Sequence, residues 1–412
     1  MVFKCQEDSF LKEYSSKVTK CETTKEPILD YGKTIKFEGY QITLADTILF
    51  PAGGGQPHDL GWLDDKEVLQ VLRKGEEAVH FTKQPIKIGT MVTQKLNWER
   101  RFDHMQQHSG QHLLSAVLEK EHDLPTSSWW LGAEESYVEL PSNNVTVDVI
   151  QLAEDRCNEL IRQALPVRVK NCNADDPCLD EAHTRGLPRD CAGPVRVVCI
   201  GDYDVNMCCG THVTNLSQLQ MIKLVGVEGG KKGKSLLKFL AGGRVAAAAH
   251  RLLDRERAMT ALLKNEPSRH AELVQKLQRN LKTSTKHLQS VLAELAQHEA
   301  ERVKRRRPKF VVLHRKEATP EYCRAVCRAL RDEDVFVLAA CAEPGRGEGQ
   351  LYMQGPNIPS TMLGETIIDI LKAKGTYKDG RFQGKIGDMS RFNECRELVS
   401  IFFKGAVLAP EN

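Results

Sequence analysis

Apolar and polar positions change rhythm several times along the chain. Up to about residue 95, short alternating runs such as Ile35-Lys36-Phe37 and Tyr40-Gln41-Ile42-Thr43-Leu44 are broken by Gly, Pro and Asp, which predicts short strands. Near Trp98 the period lengthens. Phe102, Met105, Leu113, Ala116 and Val117 keep helical spacing, and the helix should end near His122-Asp123-Leu124-Pro125. From 126 to about 245, strands at Tyr137–Leu140, Val145–Val147 and Val195–Val198 are expected to mix with a helix near 151–164. Residues 252–306 have few helix breakers after Pro267. Val274, Leu281, Leu288 and Leu295 recur every seven residues, with Leu277 and Val291 near the intervening seam, so a helical hairpin or short coiled coil is predicted. Beyond the basic run that starts at Lys304, strands at 309–313 and 335–341 alternate with helices at 319–331 and 359–373, the pattern of a small α/β domain.

Composition narrows the classes. A length of 412 residues suggests two to four domains, and 41% hydrophobic with 27% charged residues excludes wholesale disorder. The charge balance, 58 Lys+Arg against 55 Asp+Glu, excludes gross polycationic binding of nucleic acid and leaves room for a local basic patch. No apolar run reaches transmembrane length, and the charged segment Met1–Asp8 is no signal peptide, so a cytoplasmic protein without membrane attachment is expected. Thirteen cysteines, an odd number, then point to reduced thiols and metal ligands rather than a disulfide framework.

Two motifs carry metal chemistry. His108-Ser109-Gly110-Gln111-His112 lies in the predicted helix, where i, i+4 spacing puts both imidazoles on one face. Cys208-Cys209-Gly210-Thr211-His212 adds a thiolate and a third imidazole, with Gly210 read as allowing a tight turn. Three nitrogens and a sulfur favour zinc over iron or magnesium. Ser109 stands where a zinc protease would carry its Glu, so protease chemistry is not expected. His104 continues the series as an outer partner or an ordinary helix-face residue, and Gly110 is read as admitting another backbone or a ligand. Cys323 and Cys327 are read as buried structural thiols. The third motif runs from Thr47 through Pro51-Ala52-Gly53-Gly54-Gly55-Gln56-Pro57 to Asp59 and Gly61. Its glycines suit either a turn between strands or close approach to a ligand, and it lacks the ending of a nucleotide-triphosphate loop.

In this order, Gly-Gly-Gly-Gln-Pro, His-x3-His followed by Leu113-Leu114, and Cys-x-Gly-Thr-His-Val resemble the editing domain of alanyl-tRNA synthetase. More closely the chain resembles the free-standing AlaX proteins of the long type, over roughly residues 1–245. The resemblance implies an α+β fold with a β-barrel-like domain at 1–95 and a zinc-containing editing core at 96–250. A helical linker or coiled coil at 251–307 and a small α/β domain at 308–412 would follow. It implies one zinc per chain on His108, His112, Cys208 and His212, and a selectivity role for Thr47, with Gly54, Gly55 and Gln56 at the catalytic site. Cys209 replaces the Gly of many family members and is a second thiol that could compete for metal or sense oxidation.

The implied reaction is hydrolysis in trans of mischarged tRNA(Ala) carrying serine, and to a lesser extent glycine. A site that hydrogen-bonds the extra hydroxyl can reject alanine, which leaves that site's polar group unpaired. No aminoacylation domain precedes the editing motifs, so no charging of tRNA is expected. Lys231, Lys232 and Lys234 beside Gly229, Gly230 and Gly233 are candidate tRNA contacts, with Lys304–Arg307 and Lys372–Lys385 as further runs. Trp129 and Trp130 are candidate stackers for the terminal adenine. DNA is not an expected partner, and helices 252–306 offer a surface for a protein partner. The competing reading is a non-catalytic, zinc-stabilised RNA- or partner-binding protein.

Overall fold

The strand-forming runs of the first hundred residues close on themselves. In a computed structural model describing residues 2–30, 33–142, 145–172, 195–315, 319–342, 349–355, 362–378 and 380–404, a one-turn helix α1 (Lys4–Glu7) precedes eight strands. These are β1 (Glu13–Thr24), β2 (Ile28–Asp30), β3 (Lys33–Ile35), β4 (Gly39–Leu44), β5 (Gly61–Leu63), β6 (Lys66–Lys74), β7 (Glu77–Thr82) and β8 (Met91–Leu96). Six of them form a closed barrel in the order β1-β4-β7-β6-β5-β8, and β2 and β3 pair separately. Closure removes sheet edges. The interior is filled by Val18, Ile42, Ile48, Leu49, Leu63, Val68 and Val92.

Next comes α2 (Trp98–His122). Asn97 caps it by accepting from Arg100 N, and Asp123 ends it in the left-handed region with its N–H on Leu118 O. Every residue from His104 to Leu118 is buried, so α2 is surrounded rather than amphipathic, and its polar side chains need internal partners. Gln107 finds them in Ala241, donating to its carbonyl at 2.9 Å and accepting from its N–H at 3.0 Å.

The rest of this part comprises β9 (Ser128–Leu131), β10 (Ser136–Leu140), α3 (Val147–Arg162), β11 (Val167–Cys172), β12 (Val195–Ile200), β13 (Asp204–Met207), β14 (Ile222–Gly229), β15 (Ser235–Ala241) and α4 (Gly243–Leu263). A four-stranded sheet, β14-β15-β10-β9, and a three-stranded sheet, β11-β12-β13, share an apolar core with α2 and α3. Val145–Val147 is not a strand. Thr146 instead caps α3 by accepting from Val149 N, so a β-branched run opens a helix.

The chain divides into two compact units, Met1–Ala258 and Met259–Asn412. The second holds α5 (His270–Arg306), β16 (Phe310–Arg315), α6 (Pro320–Ala329), β17 (Phe336–Ala342), β18 (Gly349–Gln354), α7 (Met362–Ile370), β19 (Lys374–Lys378), β20 (Arg381–Ile386) and α8 (Phe392–Lys404). Its sheet runs β16-β17-β18-β20-β19, with α5 and α6 packed on one face and α7 and α8 on the other. Much of the seam of α5 is exposed. Leu277, Leu281, Leu288 and Val291 stand 47–69% exposed, whereas Leu292, Ala296, Glu299, Ala300 and Val303 are buried, the apolar ones packed with α6. Taken together the fold is α+β. No described helix is long and apolar enough to cross a membrane. Ten cysteines are free thiols among the described residues, whereas Cys172 is disulfide-bonded, an exception to the reduced set expected.

Candidate metal centre

The glycine motif reaches the centre through one side chain. Gly53 and Gln56 exchange backbone hydrogen bonds, N–H to O at 3.1 and 3.0 Å, with Gly54 and Gly55 between them at φ of 58° and 78°. A two-residue turn with positive φ at both central positions is the mirror-image hairpin turn that glycine favours. The turn itself is exposed. Its base is anchored by Asp59, which accepts from Phe50 N at 2.7 Å and from Arg101 Nε at 2.9 Å, both charges being fully buried. The buried Gln56 side chain then points inward.

Gln56 Oε1 accepts from Thr211 N at 3.0 Å, and its Nε2 donates to Thr211 Oγ1 at 2.8 Å. The amide orientation is thereby fixed, so His108 Nδ1, 2.8 Å from Oε1, is the donor. His108 Nε2 is left with its lone pair facing Cys208 Sγ at 3.4 Å. On the other side His212 Nε2 lies 3.3 Å from the same sulfur, with His212 Nδ1 3.1 Å from Ser109 Oγ. Ser109 is itself held by Val213 N at 3.1 Å. His112 completes the group, and the four donor atoms of His108, His112, Cys208 and His212 all lie within 4.8 Å of one another, all four residues buried.

This donor set fits zinc. Bonds of about 2.0–2.3 Å to tetrahedral corners put donor atoms roughly 3.3–3.7 Å apart, the spacing of the sulfur from its two neighbouring nitrogens. Burial, with a smaller push from Arg196, lowers His108 to about 3, and burial with the neighbouring imidazoles holds His212 well below the ordinary value. Both rings are therefore neutral and able to coordinate. Burial also pushes the Cys208 thiol up to about 11, so a cation entering here displaces its proton.

The ligand turn is built by close approach. A Cβ on Gly210 would stand 2.3 Å from His108 Cε1 and 2.8 Å from Gln56 Oε1, so the glycine makes room for the His108–Gln56 pair and its φ is not left-handed. Gly110 likewise lets α2 approach the sheet, where a Cβ would meet Ala241 at 3.0 Å. Arg196 Nη1 donates to Cys208 O at 2.7 Å and its Nε to Gln6 O at 3.2 Å, while Gln6 Nε2 donates to Cys209 O at 2.8 Å. Gln6, Ser109, Thr211 and Arg196 were missed as candidates. Thr211 lies inside the Cys motif and was findable there, whereas nothing local marks Gln6.

Residues 195–237 match the family model described as the threonyl and alanyl tRNA synthetase second additional domain. The chain is 43% identical to alanyl-tRNA editing protein Aarsd1 of Mus musculus, covering 97% of each. It is 30% identical to the putative alanyl-tRNA editing protein alaX of Saccharomyces cerevisiae over 94% of this chain and 93% of that one. To alanyl-tRNA editing protein AlaX-L of Pyrococcus horikoshii it is also 30% identical, over 67% and 66%. The chain belongs to the alanyl-tRNA editing protein family. The matched segment spans β12 to β15 and supplies Cys208 and His212, while His108 and His112 come from α2 outside it.

Other candidates of this family member sit elsewhere. His104 is buried but outside the four-donor group, with Arg100, Arg244 and His58 around it. Thr47 is buried in the barrel, its Oγ1 2.8 Å from both His80 Nε2 and Gln94 Oε1 and accepting from Leu49 N at 3.0 Å. His80, lowered to about 4 by burial, donates from Nδ1 to Ile42 O at 3.0 Å, so its Nε2 is an acceptor. Of the basic loop, Lys231 is exposed, and Lys234 is already paired with Glu139 at 2.6 Å. Trp129 lies against Gly55, and Trp130 meets Tyr137 in a tilted pair with ring centroids 5.8 Å apart on the other face of β9.

Proposed function

We propose that the chain is a trans-acting aminoacyl-tRNA deacylase that hydrolyses the 3′ ester of tRNA(Ala) mischarged with serine, and secondarily glycine, in the cytoplasm. Water adds to the ester carbonyl, the ribosyl oxygen leaves, and the products are free amino acid and tRNA. The observation that carries this reading is the union of an exposed glycine turn and a buried three-imidazole, one-thiol centre through Gln56. His108, His112, Cys208 and His212 would hold one zinc ion. When bound, zinc supplies a fixed positive charge that organises the pocket and favours negative charge developing on the ester. Four protein donors suit this organising role better than an open catalytic position.

Gly54 and Gly55 let the terminal ribose come close to the backbone, and Gln56 fixes the tautomer of His108. Thr47 is assigned the selectivity role. Its one hydrogen is committed to His80 or Gln94 and one lone pair to Leu49 N, so a serine hydroxyl would donate to the remaining lone pair. Lys231 and Lys232 would meet tRNA phosphates, and Lys234 would do so only by leaving Glu139.

The test compares hydrolysis of seryl-, glycyl- and alanyl-tRNA(Ala) with and without chelator. Seryl-tRNA should be cleaved fastest, and chelation should abolish turnover. A protein with one zinc and no turnover on any of the three would support the non-catalytic binding role instead.

A further inference from the structure

The Gly53–Gly55 turn sits on a donor that it does not bond. Trp129 Nε1 is buried and has no hydrogen-bond partner, although the indole N–H is a donor that buried tryptophans almost always pair. Its cover is Gly55. A Cβ on that residue would stand 2.4 Å from Trp129 Nε1 and 3.0 Å from its Cδ1, so any other residue would hold the turn off the ring. The covering turn is exposed, and its two central residues have positive φ and no side chains, which makes it the easiest part of this wall to move. The next residue, Gln56, is bonded to His108. The N–H therefore lies directly beside the turn that leads to the metal centre.

We propose that Trp129 is a substrate-contacting residue: the Gly53–Gly55 turn lifts as the aminoacyl-ribose end enters, and the uncovered indole N–H donates to the ester carbonyl oxygen. This rests on the deacylase reading. A buried N–H without a protein partner is a costly arrangement, and an incoming carbonyl oxygen relieves it while the displaced turn takes its hydrogen bonds from water. The bond strengthens as the carbonyl oxygen gains charge, so it acts on kcat more than on KM. Trp129 thus differs from Trp130, which lies on the other face of β9 beside Tyr137.

Trp129→Phe keeps an aromatic ring and removes the donor. Single-turnover and steady-state deacylation of seryl-tRNA should show kcat lower by about threefold to tenfold with KM little changed. Full zinc content and an unchanged denaturation midpoint would exclude a folding defect. Independently of any variant, wild-type protein labelled with 15N at its indoles is titrated with the stable 3′-amide analogue of seryl-adenosine. The Trp129 indole proton, assigned by its loss in Trp129→Phe, should move downfield as it gains an acceptor. Wild-type kcat in Trp129→Phe, or an indole signal unmoved at saturating analogue, would overturn the inference while leaving the deacylase standing. An inactive wild-type protein would overturn both.

Discussion

Replacing Gln56 tests whether the barrel builds the metal centre or only neighbours it. The Gln56 side chain makes three hydrogen bonds, accepting from His108 Nδ1 at 2.8 Å and Thr211 N at 3.0 Å and donating to Thr211 Oγ1 at 2.8 Å. Gln56→Met keeps the length and removes all three, leaving two buried N–H donors unpaired. At about 1–3 kcal/mol each, the folded state should lose roughly 2–6 kcal/mol. The same change releases the His108 tautomer, since Nδ1–H is no longer held and Nε2 need not carry the lone pair. Loss of such an outer hydrogen bond typically weakens metal binding by about 10- to 100-fold. Gln56→Glu retains both accepted bonds, and Thr211 can donate to it in turn, so zinc affinity should stay near that of the parent. The assay titrates zinc into metal-free protein against a chromophoric chelator of known affinity, with urea unfolding measured in parallel. Parental zinc affinity in Gln56→Met would refute the reasoning and move Gln56 to direct contact with substrate. A loss in both variants would show that size and charge at this position matter more than the His108 bond.

Other outcomes follow from the same geometry. Thr47→Val should cost about 2–6 kcal/mol in urea unfolding, because Leu49 N and His80 Nε2 lose their buried partner, while Thr47→Ser stays near the parent; equal stability of the two variants would show that the hydroxyl does not hold the barrel. Asp59→Asn strands the Arg101 guanidinium without its counter-charge, and a loss of about 3–5 kcal/mol in denaturation is expected, a change under 1 kcal/mol being evidence against a structural role. Acid should weaken metal-free protein. Burial holds His80 to about 4 and His108 to about 3, and His104 and His212 well below 6.5, so below that value the unfolded chain takes up protons that the folded chain refuses. Stability should then fall with pH by up to about 1.4 kcal/mol per unit for each such histidine, and a urea midpoint constant from pH 7 to pH 5 would contradict it.

What could be read from the sequence was local. The helix over Trp98–His122 announced itself by spacing and by the breakers Asp123 and Pro125 at its end, while its cap, Asn97, came from the structure. The four donors were legible because each pair lies within one motif and soft and nitrogen ligands together imply one kind of ion. Val145–Val147 misled because β-branched residues favour strands while the middle one, Thr146, is also a good helix cap, and the cap prevailed. The seven-residue repeat of α5 predicted helix correctly but not its surroundings, since spacing describes a face and not what covers it. Thr47 shows the same limit at the site. Its partners His80 and Gln94 are 33 and 47 residues away, on barrel strands whose register no local pattern reveals.

The same non-local contacts explain why the centre needs the barrel at all. The four donors come from α2 and the turn after β13, yet the atoms that orient them come from the first sixty residues as well. Gln56 holds His108, and Gln6 holds the carbonyl of Cys209 while accepting at its own backbone from Arg196, which in turn grips Cys208. Cys5, beside Gln6, donates its N–H to Thr47 O at 3.1 Å. One short helix therefore ties the selectivity candidate to the Cys208 turn, by a backbone bond from Cys5 to Thr47 and a side-chain bond from Gln6 to Cys209, and the Asp59–Arg101 pair fixes the glycine turn to the helix that carries two of the four candidate donors. A shift of the barrel against α2 would move Thr47, Gln56 and the Cys208 turn together. Their relative positions are preserved by shared anchors, so altering one anchor should disturb metal affinity and substrate choice in concert.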